Sequence, residues 1–315
     1  RPSLAPGRRR NLLWFRRELR IHDQPLFEPL DPERDEVIAA WILDPRNHLD
    51  VVQDFSRAGT HRLRFLLESV RALEESLQRL GVRLVVRLGN PEDVLPDLCR
   101  DLAIDRLCFV EAPGTEERSI ERTLKKRASV AVTCLPPETL FQIDDPRAFA
   151  RELPEVFSSF RRTAERGLEI APSRPTPSAL VPLTTSADFD YGSVPEVETL
   201  GLAAEPADPR AVLGFEGGEP AGLERMRGWM FTGDHLKEYK VTRNGMLGGD
   251  YSSKFSPWIA LGALSPRLIA EETLRYEHER VANDSTYWLR FELFWREYFR
   301  LYLLKHGRTL FHAAG

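Results

Sequence analysis

The first 135 residues alternate short apolar runs with amphipathic stretches, and few architectures accommodate that alternation. Runs at 11–15, 36–43, 82–88, 106–111 and 130–135 have strand length and are mostly apolar, as strands buried on both faces are. Between the second and third, Leu63, Leu66, Leu67, Val70, Leu73, Leu77 and Leu80 recur at helical spacing, and Gly81 ends the pattern. Residues 91–102 and 116–127 read as further helices. The pattern predicts an α/β, doubly wound parallel sheet over residues 8–135. No GxGxxG fingerprint follows the first run, so a dinucleotide site of the usual kind is not supported. Ligands of such sheets collect at the carboxyl ends of strands, which places residues 15–23, 44–48 and 111–117 around any crevice.

Residues 136–215 have a different texture. Pro136-Pro137 opens a connector, and 172–209 is rich in Pro, Ser, Thr and Ala with little periodicity, which reads as a long surface linker. Within the connector, 153–162 (LPEVFSSFRR) carries aromatic and basic residues suited to docking between domains. Residues 216–315 read as an all-α unit, with helices at 223–231, 257–261, 266–281 and 285–306 and no strand.

Charge and composition narrow the function. The chain carries a net −4, but residues 216–315 hold 14 Lys and Arg against 13 Asp and Glu, so a nucleic-acid surface has to be local and lie in the back half. No run approaches the roughly 18 apolar residues of a membrane helix, and nothing apolar follows the basic first ten residues to make a secretory signal. Cys99, Cys108 and Cys134 have no metal-ligand spacing and read as reduced core thiols of a cytoplasmic protein. The first residue is Arg rather than Met, which reads as a processed, trimmed or partial chain.

Two segments carry chemistry. The first is LKEYKVTRNGMLGGDYSSKFSPW at 236–258. Gly245, Gly248 and Gly249 let the backbone approach a ligand, Ser252, Ser253 and Ser256 crowd hydroxyls together, and Lys254 adds a cation. With Ser256 as N-cap and Pro257 as first helical residue, free backbone N–H groups point into the serines, an arrangement suited to a diphosphate or a nucleic-acid phosphate. The alternative is an ordinary loop closed by a Ser-Pro cap, as Ser265-Pro266 is. The second segment is TYWLRFELFWREYFRLYLLK at 286–305, apolar on nearly every side. Trp288, Glu292, Trp295 and Phe299 fall on one helical face, with Arg296 one turn from Glu292. Either Glu292 and Arg296 form an internal ion pair, or a carboxylate and an indole line a pocket for a planar ligand whose phosphate or ring Arg296 reaches.

WFRRELRIHD at 14–23 resembles the WFRxDLRxxD opening of the photolyase/cryptochrome family. Residues 153–162, YKVTRN at 239–244, 251–257, ALGALSP at 260–266 and NDSTYWLRFELFWREYF at 283–299 follow in order and resemble its cryptochrome DASH branch. The resemblance implies an α/β antenna domain (8–135), an interdomain linker (136–215) and the first half of a helical FAD-binding domain (216–315), the family's pattern continuing beyond the motifs present here. It implies a blue-light flavoprotein that repairs cyclobutane pyrimidine dimers in single-stranded or opened DNA by electron transfer from reduced flavin, and a monomer at full length. Tyr239, Ser252, Ser253, Lys254, Phe255 and Ser256 then match FAD contacts, and Arg296 a flavin contact. Glu292 and Trp295 match the acidic residue and tryptophan that face the dimer. Glu116 or Glu117 matches the acidic contact to a methenyltetrahydrofolate antenna, although GTEER is offset from the family's spacing. Gln24-Pro25 departs from the usual Asn after the opening motif. A blue-light receptor without repair activity and an α/β nucleotide-binding module with a helical partner domain are the competing readings. With half the helical domain in the sequence, the last helix is expected to expose an aromatic patch from Trp288 to Tyr302.

Overall fold

A computed structural model describes residues 8–52, 54–203, 206, 208–245 and 248–313. Met246 and Leu247 of the glycine-serine segment, and Gly315, lie outside the described residues. The predicted sheet is present. Its strands are β1 (Arg9–Phe15), β2 (Asp35–Leu43), β5 (Leu84–Leu88), β6 (Arg106–Val110) and β7 (Ala131–Leu135), while β3 (Val51–Val52) and β4 (Phe55–Ser56) form a small antiparallel hairpin after β2. The five strands run parallel in the order β5-β2-β1-β6-β7. The chain crosses from β5 over β2 and β1 to β6, so the winding reverses between β1 and β6, and a crevice opens at their carboxyl ends.

Alternate residues of β1 and β2 face opposite sides of the sheet, and each side has its own core. Leu13, Phe15, Val37 and Trp41 pack against Leu63, Leu67 and Leu73 of helix Thr60–Arg79. Leu12, Trp14 and Ile38 pack on the other side with Leu95 and Leu98 of helix Pro91–Asp101 and Leu124 of helix Thr115–Arg127. Gly81 sits at φ +87°, which only glycine adopts without strain, and turns the chain from the first of these helices toward β5.

Residues 136–171 contain helices Pro146–Arg151 and Phe157–Gly167, and Phe141, Phe157 and Phe160 share a core with Trp229, Trp258, Leu289 and Phe294 of the helical part. Farther on, the chain lies along the sheet. Val37 N donates to Val181 O at 2.8 Å, Leu183 N to Val37 O at 2.8 Å, and Val86 N to Tyr191 O at 2.8 Å. Backbone bonds to a sheet leave no side-chain periodicity to read, hence the featureless sequence.

The helical part comprises Glu219–Arg227, which runs into a π-turn at Gly228–Thr232, then Tyr239–Thr242, Ser256–Ala260, Pro266–Glu279 and Asp284–His306. The expected aromatic patch from Trp288 to Tyr302 is largely covered, a correction to the sequence reading. Leu293, Phe294, Tyr298 and Leu301 are buried, Trp288, Phe291, Trp295 and Tyr302 are partly buried, and Phe299 is exposed at 59%. The cover comes from Phe141, Phe157 and Phe160, which the sequence reading assigns to the connector. No described helix is long and apolar enough to cross a membrane.

Candidate functional site

The glycine-serine loop is shaped from below by two side chains of helix Glu219–Arg227 and its π-turn. Arg225 donates to the carbonyls of Gly249 (2.9 Å), Ser252 (3.2 Å) and Ser253 (3.0 Å) and pairs with Asp250 at 2.8 Å. Trp229 Nε1 donates to Asp250 O at 2.9 Å. The loop's carbonyls and its one acidic side chain are thus drawn to one side. The hydroxyls of Ser252, Ser253 and Ser256 and the Lys254 ammonium hold no hydrogen bond to another described residue. Lys254 adopts φ +59°, in the left-handed region. Tyr239 and Phe255 are buried edge-on against Trp229, at ring separations of 5.4 and 5.7 Å. Their rings are scaffolding, and the Tyr239 hydroxyl is buried beside Arg243. Burial, with the Glu292 charge second, pushes that hydroxyl's pKa up.

One detail of the sequence reading is corrected. Ser256 is not an N-cap: the helix begins at Ser256 itself, Phe255 before it is already helical (φ −73°, ψ −15°), and no side chain caps the end. At five residues this helix adds little dipole, so the donors for an anion are hydroxyls and Lys254.

On the last helix, Glu292 pairs with Arg243 and accepts from Trp288 Nε1 at 3.1 Å. The internal Glu292–Arg296 ion pair that one reading of the sequence allows does not form, because Arg243 from the adjoining short helix takes the carboxylate. Trp295 stacks flat on Phe157 (3.5 Å, 12°) and more loosely against Phe299 (5.5 Å, 24°). Arg296 instead lines, together with Pro257, Ala260 and Leu261, a cleft of about 730 Å³ between the sheet and the helical part. Burial and the neighbouring Arg300 lower its pKa.

That cleft lies at the carboxyl ends of β1 and β6 as expected, lined by Arg16, Asp44, His48, Glu111 and Glu117 among others. Glu117 pairs with Arg17 at 2.8 Å and Glu116 with Arg57 at 3.6 Å. Burial, reinforced by Arg62, holds His48 neutral and lowers its pKa to about 4. Its Nδ1 is buried with no hydrogen bond among the described residues.

Sequence reasoning missed what WFRRELRIHD does physically: it bolts the two parts together. Arg20 donates to His22 O, Asp23 O, Gly262 O and Glu138 at 2.6–2.9 Å, all from a fully buried position. Asp23 accepts from Ser265 Oγ at 2.5 Å and from Arg174 N at 3.0 Å. Burial works to raise the Asp23 pKa, but Arg20 and Ser265 outweigh it and hold the carboxyl below its ordinary range. Glu219 takes His22 Nδ1 at 2.5 Å, while His22 Nε2 accepts from Ser265 N at 3.1 Å. Gly262 is irreplaceable here, since a Cβ would sit 1.7 Å from Arg17 O at a backbone φ of +65°. The signal was available as charge within an otherwise apolar motif, but the partners lie up to 243 residues away.

A family model described as DNA photolyase matches residues 11–179, more than half of the chain. The chain belongs to the DNA photolyase family. It is 44% identical over 308 residues to the cryptochrome DASH of Gloeobacter violaceus, across 96% of this chain and 61% of that one. It is 40% identical over 315 residues to the chloroplastic/mitochondrial cryptochrome DASH of Arabidopsis thaliana, across 98% and 55%. The crystal structure of Synechocystis cryptochrome matches with a TM-score of 0.89 and 38% identity, over 99% of this chain and 64% of that one. A class III photolyase of Agrobacterium tumefaciens, 21% identical with a TM-score of 0.74 over 98% and 61%, shares the fold. The chain spans about three fifths of the length of the photolyase-family relatives it matches.

Proposed function

We propose that the chain is the flavin- and lesion-binding part of a blue-light flavoprotein of the cryptochrome DASH type, which splits cyclobutane pyrimidine dimers in single-stranded or opened DNA. The observation that carries this reading is the loop with its carbonyls drawn toward Arg225, leaving the Ser252, Ser253 and Ser256 hydroxyls and Lys254 for an anion. Such a donor set fits the diphosphate of FAD. A photolyase of the same fold from Sulfolobus tokodaii is described with two FAD molecules, which supports a flavin. Tyr239 and Phe255 hold the loop in place, and Arg296 supplies a buried cation beside the short helix that follows it.

Reduced FAD, when bound, supplies the electron that starts dimer splitting under light. Glu292 hydrogen-bonds the pyrimidine, and Trp295 offers a ring face once the exposed Phe299 turns aside. Lys240 and Arg243 stand over the Trp288 ring at 5.2 and 5.1 Å and Arg161 over Phe291 at 5.7 Å, a mixture of cations and rings that suits unpaired bases on a phosphate backbone. A methenyltetrahydrofolate antenna fits the cleft beside Glu116 and Glu117, where it shares or replaces their arginine partners.

The test is illumination of the purified protein, loaded with reduced FAD, on a single-stranded oligothymidylate carrying one dimer. Dimers should disappear in blue light and persist in the dark. Glu292→Gln should lower repair per absorbed photon with flavin absorbance nearly unchanged. Bound, light-absorbing flavin with no dimer lost would favour a photoreceptor without repair activity.

A further inference from the structure

Of the five asparagines in the chain, Asn244 alone is followed by glycine, and the fold treats it differently from the other four. Asn11 is buried, donating to the carbonyls of Arg9 and Glu36 and accepting from Arg106 at 2.6 Å. Asn90 donates to Asp93 at 3.1 Å and precedes Pro91, which has no backbone N–H. Asn283 caps the last helix, accepting from Ser285 N and Thr286 N. Asn47 lies within helix Pro45–His48, with the bulky His48 as the next residue. Asn244 is exposed, sits in the turn that ends helix Tyr239–Thr242, and its side chain bonds no other described residue.

We propose that Asn244 is a deamidation site of the folded protein, and that the acid left there weakens anion binding at the serine loop. The second half rests on the function proposed above. The Gly245 amide nitrogen gives up its proton to solvent hydroxide and attacks the side-chain carbonyl carbon of Asn244. The bond from that carbon to the side-chain nitrogen breaks, ammonia leaves with a proton from water, and a cyclic succinimide remains. Water then opens the ring at either carbonyl, giving aspartate or isoaspartate. Glycine presents no Cβ to hinder the attack, and packing keeps a larger residue out, since a Cβ on Gly245 would meet the Tyr251 ring at 2.6 Å. What holds the amide back is one turn bond beside the exposed Asn244, from Gly245 N to Thr242 O at 2.7 Å. Thr242 Oγ1 donates to Tyr251 O at 2.9 Å, and Tyr251 precedes Ser252, so this turn abuts the start of the serine loop. A new negative charge there opposes an anion, and the extra backbone carbon of isoaspartate displaces Gly245 from Tyr251.

The test incubates the folded protein, the same protein in urea, and folded Asn244→Gln in mildly alkaline buffer. Peptide mass spectrometry reads the amide-to-acid mass gain, and isoaspartyl methyltransferase reads the isomer. In the folded protein Asn244 should convert several times faster than any other asparagine, and Asn244→Gln should keep its original charge on isoelectric focusing. An Asn244 that converts in urea but stays intact in the folded chain overturns the proposal, as does conversion of Asn47 at an equal rate. For the loop, wild type, Asn244→Asp and Asn244→Gln are titrated with FAD, each checked for folding by circular dichroism. Asn244→Asp should bind severalfold more weakly than wild type and Asn244→Gln about as well. Equal affinity in Asn244→Asp overturns the effect on the loop. A wild type that binds no FAD overturns the function proposed above and leaves the mass gain at Asn244 standing.

Discussion

Two Ser-Pro dipeptides nine residues apart meet opposite fates. Ser265 is fully buried: its hydroxyl accepts from Arg267 N at 3.1 Å and donates to Asp23, its N–H donates to His22, and a 14-residue helix follows. Ser256 is exposed, caps nothing and is itself the first residue of a five-residue helix. One dipeptide is consumed by the joint between the sheet and the helical part, and the other, with Ser252 and Ser253, is left with hydroxyls that bond no other described residue. The difference separates polar groups spent on folding from polar groups that folding leaves unbonded, which a dipeptide alone does not reveal.

The sharpest way to break this comparison is to attack the joint. Arg20→Ala leaves Asp23 and Glu138 without their shared buried cation and should cost about 3–5 kcal/mol in urea unfolding. Lys254→Ala, at the edge of the loop, should leave stability unchanged. The serines come next. Ser265→Ala should cost about 1–2 kcal/mol through the lost cap and the lost Asp23 contact, whereas Ser256→Ala should stay within about 0.5 kcal/mol of wild type. Similar costs at both serines would erase the distinction.

The smallest effect is a pH dependence in the cleft. His48 is neutral when folded, its pKa lowered to about 4 chiefly by burial and then by Arg62. Between about pH 6.5 and 4 the unfolded chain therefore takes up a proton that the folded chain refuses, so stability decreases as the pH is lowered across that window. His48→Gln should flatten the slope there; an unaltered slope would mean that His48 protonates in place.

Much of this was legible in the sequence, for reasons that differ between regions. The strands of the sheet lie within two residues of their predicted bounds because strands buried on both faces are written as continuous apolar runs, and helix Thr60–Arg79 announces itself by its leucines. Local periodicity is silent about what covers a surface. Phe141, Phe157 and Phe160 lie in a connector without strong pattern, yet they cover the last helix. The same limit applies at the site. Glu292 and Trp295 were found as residue types on one helix, but the partner Arg243 lies 49 residues earlier in a four-residue helix and its continuation, and Phe157 lies earlier still. Arg20 and Asp23 stood in a recognisable motif whose bonding is entirely long-range. The missing cap at Ser256 reflects a choice of backbone at Phe255 that residue identity does not dictate.

The claim that the unbonded hydroxyls of Ser252 and Ser253 bind the FAD diphosphate is tested most directly by titrating the protein with FAD and following flavin fluorescence. The compared proteins are wild type, Ser252→Ala/Ser253→Ala and Ser265→Ala, each with its unfolding curve. The account predicts that the double variant keeps its stability and loses affinity, by about 1.5–3 kcal/mol for each hydrogen bond to the charged diphosphate. Ser265→Ala should lose stability and, while folded, bind FAD as wild type does. Unchanged FAD affinity in the double variant, or an affinity lost only in step with stability, would contradict the assignment.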